Sequence, residues 1–472
     1  MIRTRRSVHA IEADPTDNTL VWYSRAIGEM KQRPLDDPLG WRFLGAVDAF
    51  DRASDLYLIA GESMPSGPDE RRFWHQCQHG SWFFLPWHRM YLFHFERIVL
   101  SEVIRLGGPS TWALPYWNYS QDVASRLLPV AFRDPTFADG STNHLYVSQR
   151  TPAANSGGQF LDDIDVDIED ALRRKRFAGT DTGDTGFGGP RTGFSHFSRP
   201  FGGLEQSPHN NVHVQVSGFM LDPRTAALDP IFWLHHANID RLWEAWKRRD
   251  ATHVDPTETL WSRGVEFWFH DASGHRVKMR SEEVTDPTVA PLEYTYDDLS
   301  DPLPESFVGS LDDKGSDIVQ LVGATPEAFE VDLDAGSARC VVRVPRPKAD
   351  SPEMLTVENQ PSHVYLSVEQ ITCQGLASSL DVYLGLSPDD NPADHSDKRV
   401  ARLALFGIRE ASNPAGPHGG SGLLFNFEVT DAIRRLDDVG DEDFKDVMVT
   451  FRPIGDHTGS PVHIGRVSLY AE

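Results

Sequence analysis

Cysteine is scarce in this 472-residue chain: Cys77, Cys340 and Cys373 are too few to build a disulfide framework. That scarcity points to a cytoplasmic setting. Positive charge is also in deficit, with 45 Lys and Arg against 70 Asp and Glu, and a formal charge of −25 repels phosphate backbones and anionic bilayers. Nucleic acid and membrane surfaces are therefore excluded as expected partners. No apolar run is long enough to cross a bilayer, and the basic start Met1-Ile-Arg-Thr-Arg-Arg-Ser7 is not followed by the apolar stretch of a secretory signal. The length exceeds one ordinary hydrophobic core, so two domains are expected.

What the chain does contain is histidine at helical spacing. In His209-Asn-Asn-Val-His213, residues four apart stack on one face of a helix and can converge on one ion. A third ring is expected from Asp229-Pro-Ile-Phe-Trp-Leu-His-His236. Neighbours on a helix differ by about 100°, so one of His235 and His236 faces the interior, here taken as His236, and the other is structural. These residues read as half of a binuclear metal centre. The other half lies in Cys77-Gln-His79-Gly-Ser-Trp-Phe-Phe-Leu-Pro86-Trp-His88. Pro86 suits a helix start, placing His88 in the first turn of a helix that runs to about Leu106, with His79 reaching in from the preceding loop. His94 and His196 read as core histidines.

Through these segments, the Gly203-Leu-Glu205-Gln-Ser-Pro-His209 approach and Tyr294-Thr-Tyr296, roughly residues 1–298 resemble the tyrosinase, catechol oxidase and polyphenol oxidase family of type 3 copper proteins. The resemblance implies a mainly α, four-helix-bundle copper core holding two copper ions, with His79 and His88 on copper A and His209, His213 and His236 on copper B. It further implies a thioether from Cys77 to His79. It gives Glu205 and Asn210 the task of orienting a water toward a phenol, whose proton must leave before it can bind as phenolate.

The sixth ligand departs from the pattern. The family carries a histidine within a helix resembling Trp41-Arg-Phe-Leu-Gly-Ala-Val-Asp48-Ala, and this chain has Asp48 there. Three readings stay open: Asp48 is a ligand, site A is vacant or weak, or His75 substitutes. A carboxylate is a hard anionic donor that favours divalent ions over Cu(I), so an Asp48 ligand disfavours the reduced state that meets dioxygen. A metal other than copper at site A is then conceivable.

Beyond residue 298 the texture changes. Residues 299–325 read as a polar linker, and 326–472 hold eight β-branched and aromatic segments, from Ala328-Phe-Glu-Val-Asp-Leu to Val462-His-Ile-Gly-Arg-Val, that suggest an all-β sandwich, jelly-roll-like. This part resembles, more loosely, the domain that shields the active site in latent plant polyphenol oxidases. Residues 177–203 form a long Gly- and Thr-rich loop expected to shape substrate access. The expected activity is oxidation of phenols, catechols or o-aminophenols with dioxygen to quinones or quinone imines. The alternatives are a mononuclear or mixed-metal variant and a non-catalytic metal or oxygen binder. A small aromatic substrate and dioxygen are the expected partners, and a copper-loading chaperone is left open.

Overall fold

The computed structural model describes residues 2–472 except 53, 196–198, 304–318, 335, 347–360, 376, 417–418, 437–438, 441–442 and 458–459. His196 and much of the expected linker lie outside the described residues. The N-terminal part is helical. Its long helices are Thr19–Lys31, Phe84–Arg105 and Pro230–Arg249, and the middle one packs against both others. Phe84–Arg105 begins two residues before Pro86, which sits in the first turn where its missing N–H costs no bond. Pro230–Arg249 starts as its Asp229-Pro230 sequence dictates: the Asp229 carboxylate accepts the Ile231 N–H at 3.0 Å, and buried Arg150 grips the same carboxylate at 2.6 and 2.8 Å. No helix among the described residues is long and apolar enough to cross a membrane.

The turn carrying His209 and His213 is helical as their spacing suggests, but the chain is kinked just before it. Glu205–Asn210 is a π-helical turn broken at Ser207 (φ −144°, ψ 130°), and a short α-helix, Asn211–Val216, follows. Pro208 explains the break, because it has no N–H to donate and its ring crowds the preceding residue out of helical backbone.

A buried ionic network closes the helical part. Strand Tyr294–Tyr296 pairs in parallel with Arg3–Arg5, and the hydroxyls of Tyr294 and Tyr296 donate to Asp240, which also accepts from Arg5 and Arg89. Arg5 bonds Glu96 as well, so both ends of this part are tied to its two longest helices.

The C-terminal part differs in two respects from the expected sandwich. All eight foreseen strands form, but a ninth, Gln320–Ala324, falls inside the stretch read as linker. Hydrogen bonds then join all nine into one antiparallel sheet, in which Arg399–Ala404, Ala377–Leu384, Phe444–His457, Ala338–Pro345, Gln320–Ala324, Val462–Ala471, Val364–Thr372 and Leu423–Glu428 follow in order and Phe329–Val331 flanks Val462–Ala471. The two end strands touch, so the sheet nearly closes into a barrel around Leu366, Leu380, Leu403, Phe425, Val449 and Val467.

Candidate metal centre

Six imidazoles from three parts of the chain meet at the buried end of the helical core. His79 comes from the loop before Phe84–Arg105, His88 from that helix, His209 and His213 from the broken segment, and His235 and His236 from Pro230–Arg249. Burial favours the neutral ring in five of them, pushing His88 and His213 down to about 3 and His209, His235 and His236 well below the usual histidine range.

Hydrogen bonds fix which nitrogen each ring presents. The Nδ1–H of His88 donates to the Phe84 carbonyl, that of His213 to the Met220 carbonyl and that of His209 to Asn210 Oδ1, each at 2.8 Å. The His79 Nδ1–H donates to the Glu205 carboxylate, also at 2.8 Å. In all four rings Nε2 is therefore left with its lone pair, as a metal ligand requires. His209 Nε2 is buried with no hydrogen-bond partner. His213 Nε2 and His236 Nε2 lie 3.3 Å apart, the spacing of two nitrogens each about 2.0–2.1 Å from one ion.

His88 and His236 stack face to face, 4.3 Å between centroids and 14° between planes. Rings in nearly parallel planes cannot aim in-plane lone pairs at one point, so this pair is unsuited to sharing a single ion. His79 lies equally far from His88 and His209, 5.9 Å between ring centroids, and the rings of His209, His213 and His236 lie within 5.5 Å of one another. His235 was read as structural, yet its ring lies 5.2 Å from His209 and 4.9 Å from His213, and its ligating nitrogen shares a 4.8 Å cluster with those of His209, His213 and His236. The cluster sits between the two directions that consecutive helical residues take, so both rings reach it. Tyr119 steadies His235 through a 3.1 Å contact to Nδ1.

The residues around site A separate the three readings of its missing imidazole. His75 is exposed, and its Nδ1 accepts the Phe50 N–H at 3.3 Å, so it is not part of the centre. Asp48 is 2 % exposed, ends the Trp41–Asp48 helix and leaves Oδ1 without a partner. Burial pushes its carboxyl up to about 7. Its oxygen, Cys77 Sγ and a His88 ring nitrogen lie within 4.8 Å of one another. Cys77 Sγ is 3.1 Å from His79 Nε2 and 3.4 Å from His88 Nε2. Glu205 stands behind His79, both oxygens also accepting the Gly80 N–H at 3.0–3.1 Å, and burial holds its carboxyl well above the usual range. The Nδ2 of Asn210 is buried and unpartnered. His94 is a core histidine, stacked on Phe269 with Nε2 against Met279 Sδ. The 177–203 loop packs behind His79, where Ser195 accepts its backbone N–H.

Sequence reading named no residue of the second domain at this centre. The structure puts Phe406 there, its ring stacked on His213 (4.2 Å, 27°) and edge-on to His79 and His209 at 5.7 and 5.8 Å.

Comparison with known proteins agrees with this geometry. The family model for the common central domain of tyrosinase matches residues 54–249, and that for a domain of unknown function (DUF7868) matches 318–472. A tyrosinase of Hahella sp. (strain CCB-MM4) is 33% identical over the whole of both chains. The chain belongs to the tyrosinase and polyphenol oxidase family. Members of this family are copper oxidoreductases that oxidise phenols; this tyrosinase homologue is an enzyme of that type, and its histidine cluster fits the family's pair of copper ions. The latent chloroplastic polyphenol oxidase of Prunus armeniaca is 29% identical over 98% of this chain and 74% of its own. Latent apple tyrosinase shares the fold across all of this chain and 97% of its own, with a TM-score of 0.63 at 22% identity. Deoxygenated hemocyanin from Rapana thomasiana shares it with a TM-score of 0.51 at 16% identity, covering 100% and 99% of the two chains.

Proposed function

We propose that this chain oxidises phenols, catechols or o-aminophenols with dioxygen to quinones or quinone imines, with His79 and His88 holding copper A, His209, His213 and His236 holding copper B, and Asp48 in the sixth position. The observation that carries this reading is the stacked His88–His236 pair flanked by tautomer-locked histidines, a donor set suited to two adjacent ions. A bound copper pair supplies the binding and reduction of dioxygen. The protein supplies the rest. The helices form a four-helix scaffold whose fourth member is the broken 205–216 segment. Glu205 orients His79. Asn210 turns its unpartnered Nδ2 to a water or to the phenol oxygen, and Glu205 with that water takes the phenol proton. Cys77 would be joined to His79 by a thioether to a ring carbon, its Sγ lying 3.1 Å from the adjacent Nε2; forming that bond from the thiol and a ring C–H releases two protons and two electrons, which dioxygen would accept.

The first domain spans 1–298, the second begins at Gln320–Ala324 rather than at 326 because that strand belongs to its sheet, and the second shields the first. Phe406 lies where a planar substrate would stack on His213, which makes the intact chain a latent form. Three unpaired cysteines are in keeping with a cytoplasmic location, where a copper-loading chaperone would deliver the metal.

The test combines metal analysis with oxygen uptake on catechol, using copper-loaded full-length chain and its Phe406→Ala variant. Two coppers per chain, uptake in Phe406→Ala and loss of uptake on adding His88→Ala or His213→Ala support the reading. A fully loaded Phe406→Ala chain that consumes no oxygen overturns it in favour of a non-catalytic metal or oxygen binder. Asp48 favours one further reading, a mononuclear or mixed-metal enzyme, which one copper per active chain would establish.

A further inference from the structure

We infer that Asp48 is an anionic oxygen donor to the site A ion and makes site A a divalent-ion site beside a site B that accepts Cu(I). The inference rests on the dinuclear reading above and adds to it a difference in metal preference between the two halves.

The backbone brings Asp48 to this place. His75 and Gln76 donate their N–H groups to the Ala46 and Val47 carbonyls at 3.2 and 3.0 Å, and Cys77 approaches the Asp48 carbonyl at 3.4 Å, so segment 75–77 is laid along the end of the Trp41–Asp48 helix. Tyr91, one turn after His88, bonds the Leu44 carbonyl and fixes the same helix to Phe84–Arg105. Asp48 therefore faces Cys77 and His88 as a consequence of two independent attachments. Buried polar atoms in folded proteins find partners, and a carboxylate oxygen left without one marks a missing hydrogen or cation. Here the orphan Oδ1 belongs to a 2 % exposed side chain that shares a 4.8 Å group with the Cys77 sulfur and a ring nitrogen of buried His88, whose Nδ1–H is committed to Phe84.

The chemistry of the set then separates the two sites. Site B offers neutral imidazoles, which suit both oxidation states of copper. At site A the Asp48 oxygen shares a 4.8 Å group with Cys77 Sγ and a His88 nitrogen, and His79 Nε2 lies 3.1 Å from that sulfur; with His79 and His88 as its imidazoles, the hard oxygen gives the two-histidine, one-carboxylate combination that favours divalent first-row ions. Its negative charge stabilises a 2+ ion more than a 1+ ion in a water-poor pocket. Copper at site A is thus harder to hold reduced than copper at site B.

The test uses full-length protein, Cu(I), Zn²⁺ and a Cu(I)-specific chelator under anaerobic conditions, with metals counted after dialysis. Wild type loaded with one equivalent of Cu(I) and then with Zn²⁺ is expected to retain one of each. Asp48→Asn, which keeps the shape but not the charge, is expected to keep its Cu(I) and to bind Zn²⁺ at least ~100-fold more weakly, beyond the 10–100-fold cost of losing an outer-shell partner. Asp48→His is expected to hold two Cu(I) at chelator concentrations that leave one on wild type. Equal Zn²⁺ retention by wild type and Asp48→Asn, or equal Cu(I) retention by wild type and Asp48→His, overturns the inference and leaves the dinuclear reading standing. A wild-type chain that retains no Cu(I) at all overturns the dinuclear reading itself.

Discussion

Replacing Phe406 by alanine isolates the contact through which the second domain reaches the metal centre. The side chain is 1 % exposed and touches His79, His209 and His213 together. Truncating a fully buried phenylalanine costs about 3–5 kcal/mol. Part of that comes from packing within the second domain; if about 2 kcal/mol belongs to docking on the histidines, the open population rises roughly thirtyfold, since every 1.4 kcal/mol is a factor of ten. Substrate access scales with that population, so kcat/KM for a small catechol is expected to rise by the same order in the intact, copper-loaded chain. Oxygen uptake measures it, with copper content determined on the same samples. Phe406→Leu, which retains bulk but not the flat face, should fall between wild type and alanine. An alanine variant with full copper and unchanged or lower kcat/KM would refute the reasoning, because the ring would then not stand between substrate and histidines.

Two further predictions concern the core. Burial pushes His94 down to about 3 against an unfolded value near 6.5, so below pH 6.5 the unfolded chain takes up a proton that the folded chain refuses; its contribution is complete above pH 6.5 and is lost on acidification toward 3, by about 2–3 kcal/mol at pH 4.5. His94→Phe should therefore narrow the gap between denaturant midpoints measured at pH 7 and pH 4.5, and an unchanged gap would remove His94 from the acid response. At Asp240, burial raises the carboxyl, but Arg89 and Arg5 hold it below the usual carboxylate range. Asp240→Asn leaves two buried guanidinium groups facing a neutral amide, at a cost of about 3–5 kcal/mol, seen as a lower Tm and freer proteolysis of the N-terminal strand; an unshifted Tm would mean the network adds no stability.

The features legible in the sequence were those set by local spacing. His209 and His213 face one ion because four residues make about one helical turn, and Asp229-Pro230 announces a helix start through the cap it forms. The β segments showed themselves by alternation, and all eight formed. Features that depend on distant pairing were not legible. Gln320–Ala324 is a strand because Val462–Ala471 and Ala338–Pro345 offer it edges, and nothing within Gln-Leu-Val-Gly-Ala separates it from a linker. The same holds for the closure of the sheet, since the contact between its end strands joins residues near 400 and 425. How close His235 comes to the cluster was not legible, because helical geometry gives directions around one axis, whereas the centre occupies the space between three elements.

Phe406 shows why a residue of the second domain could be decisive and still pass unseen. In sequence it follows Leu403-Ala-Leu and reads as the end of a strand, but the strand stops at Ala404, and Gly407 adopts a left-handed φ of 78° that turns the chain back after the aromatic ring. The position of that turn is set by charge on either side. Before it, buried Arg402 bonds Asp381 on its own sheet and Asp165 of the helical part, at 2.6 and 2.8 Å. After it, Glu410 meets Arg224 at 2.9 Å, and Arg224 is itself held by Asp222 and Asp51. A lone apolar contact would let the ring slide over the histidines, because hydrophobic attraction has no preferred direction. Ion pairs on both flanks supply that direction: removing one partner of a buried pair leaves an uncompensated charge, so the segment has one low-energy register. The ring covers the metal centre because of where its charged neighbours are anchored, and the anchors in the helical part, Asp165 and Arg224, lie more than 170 residues away in sequence.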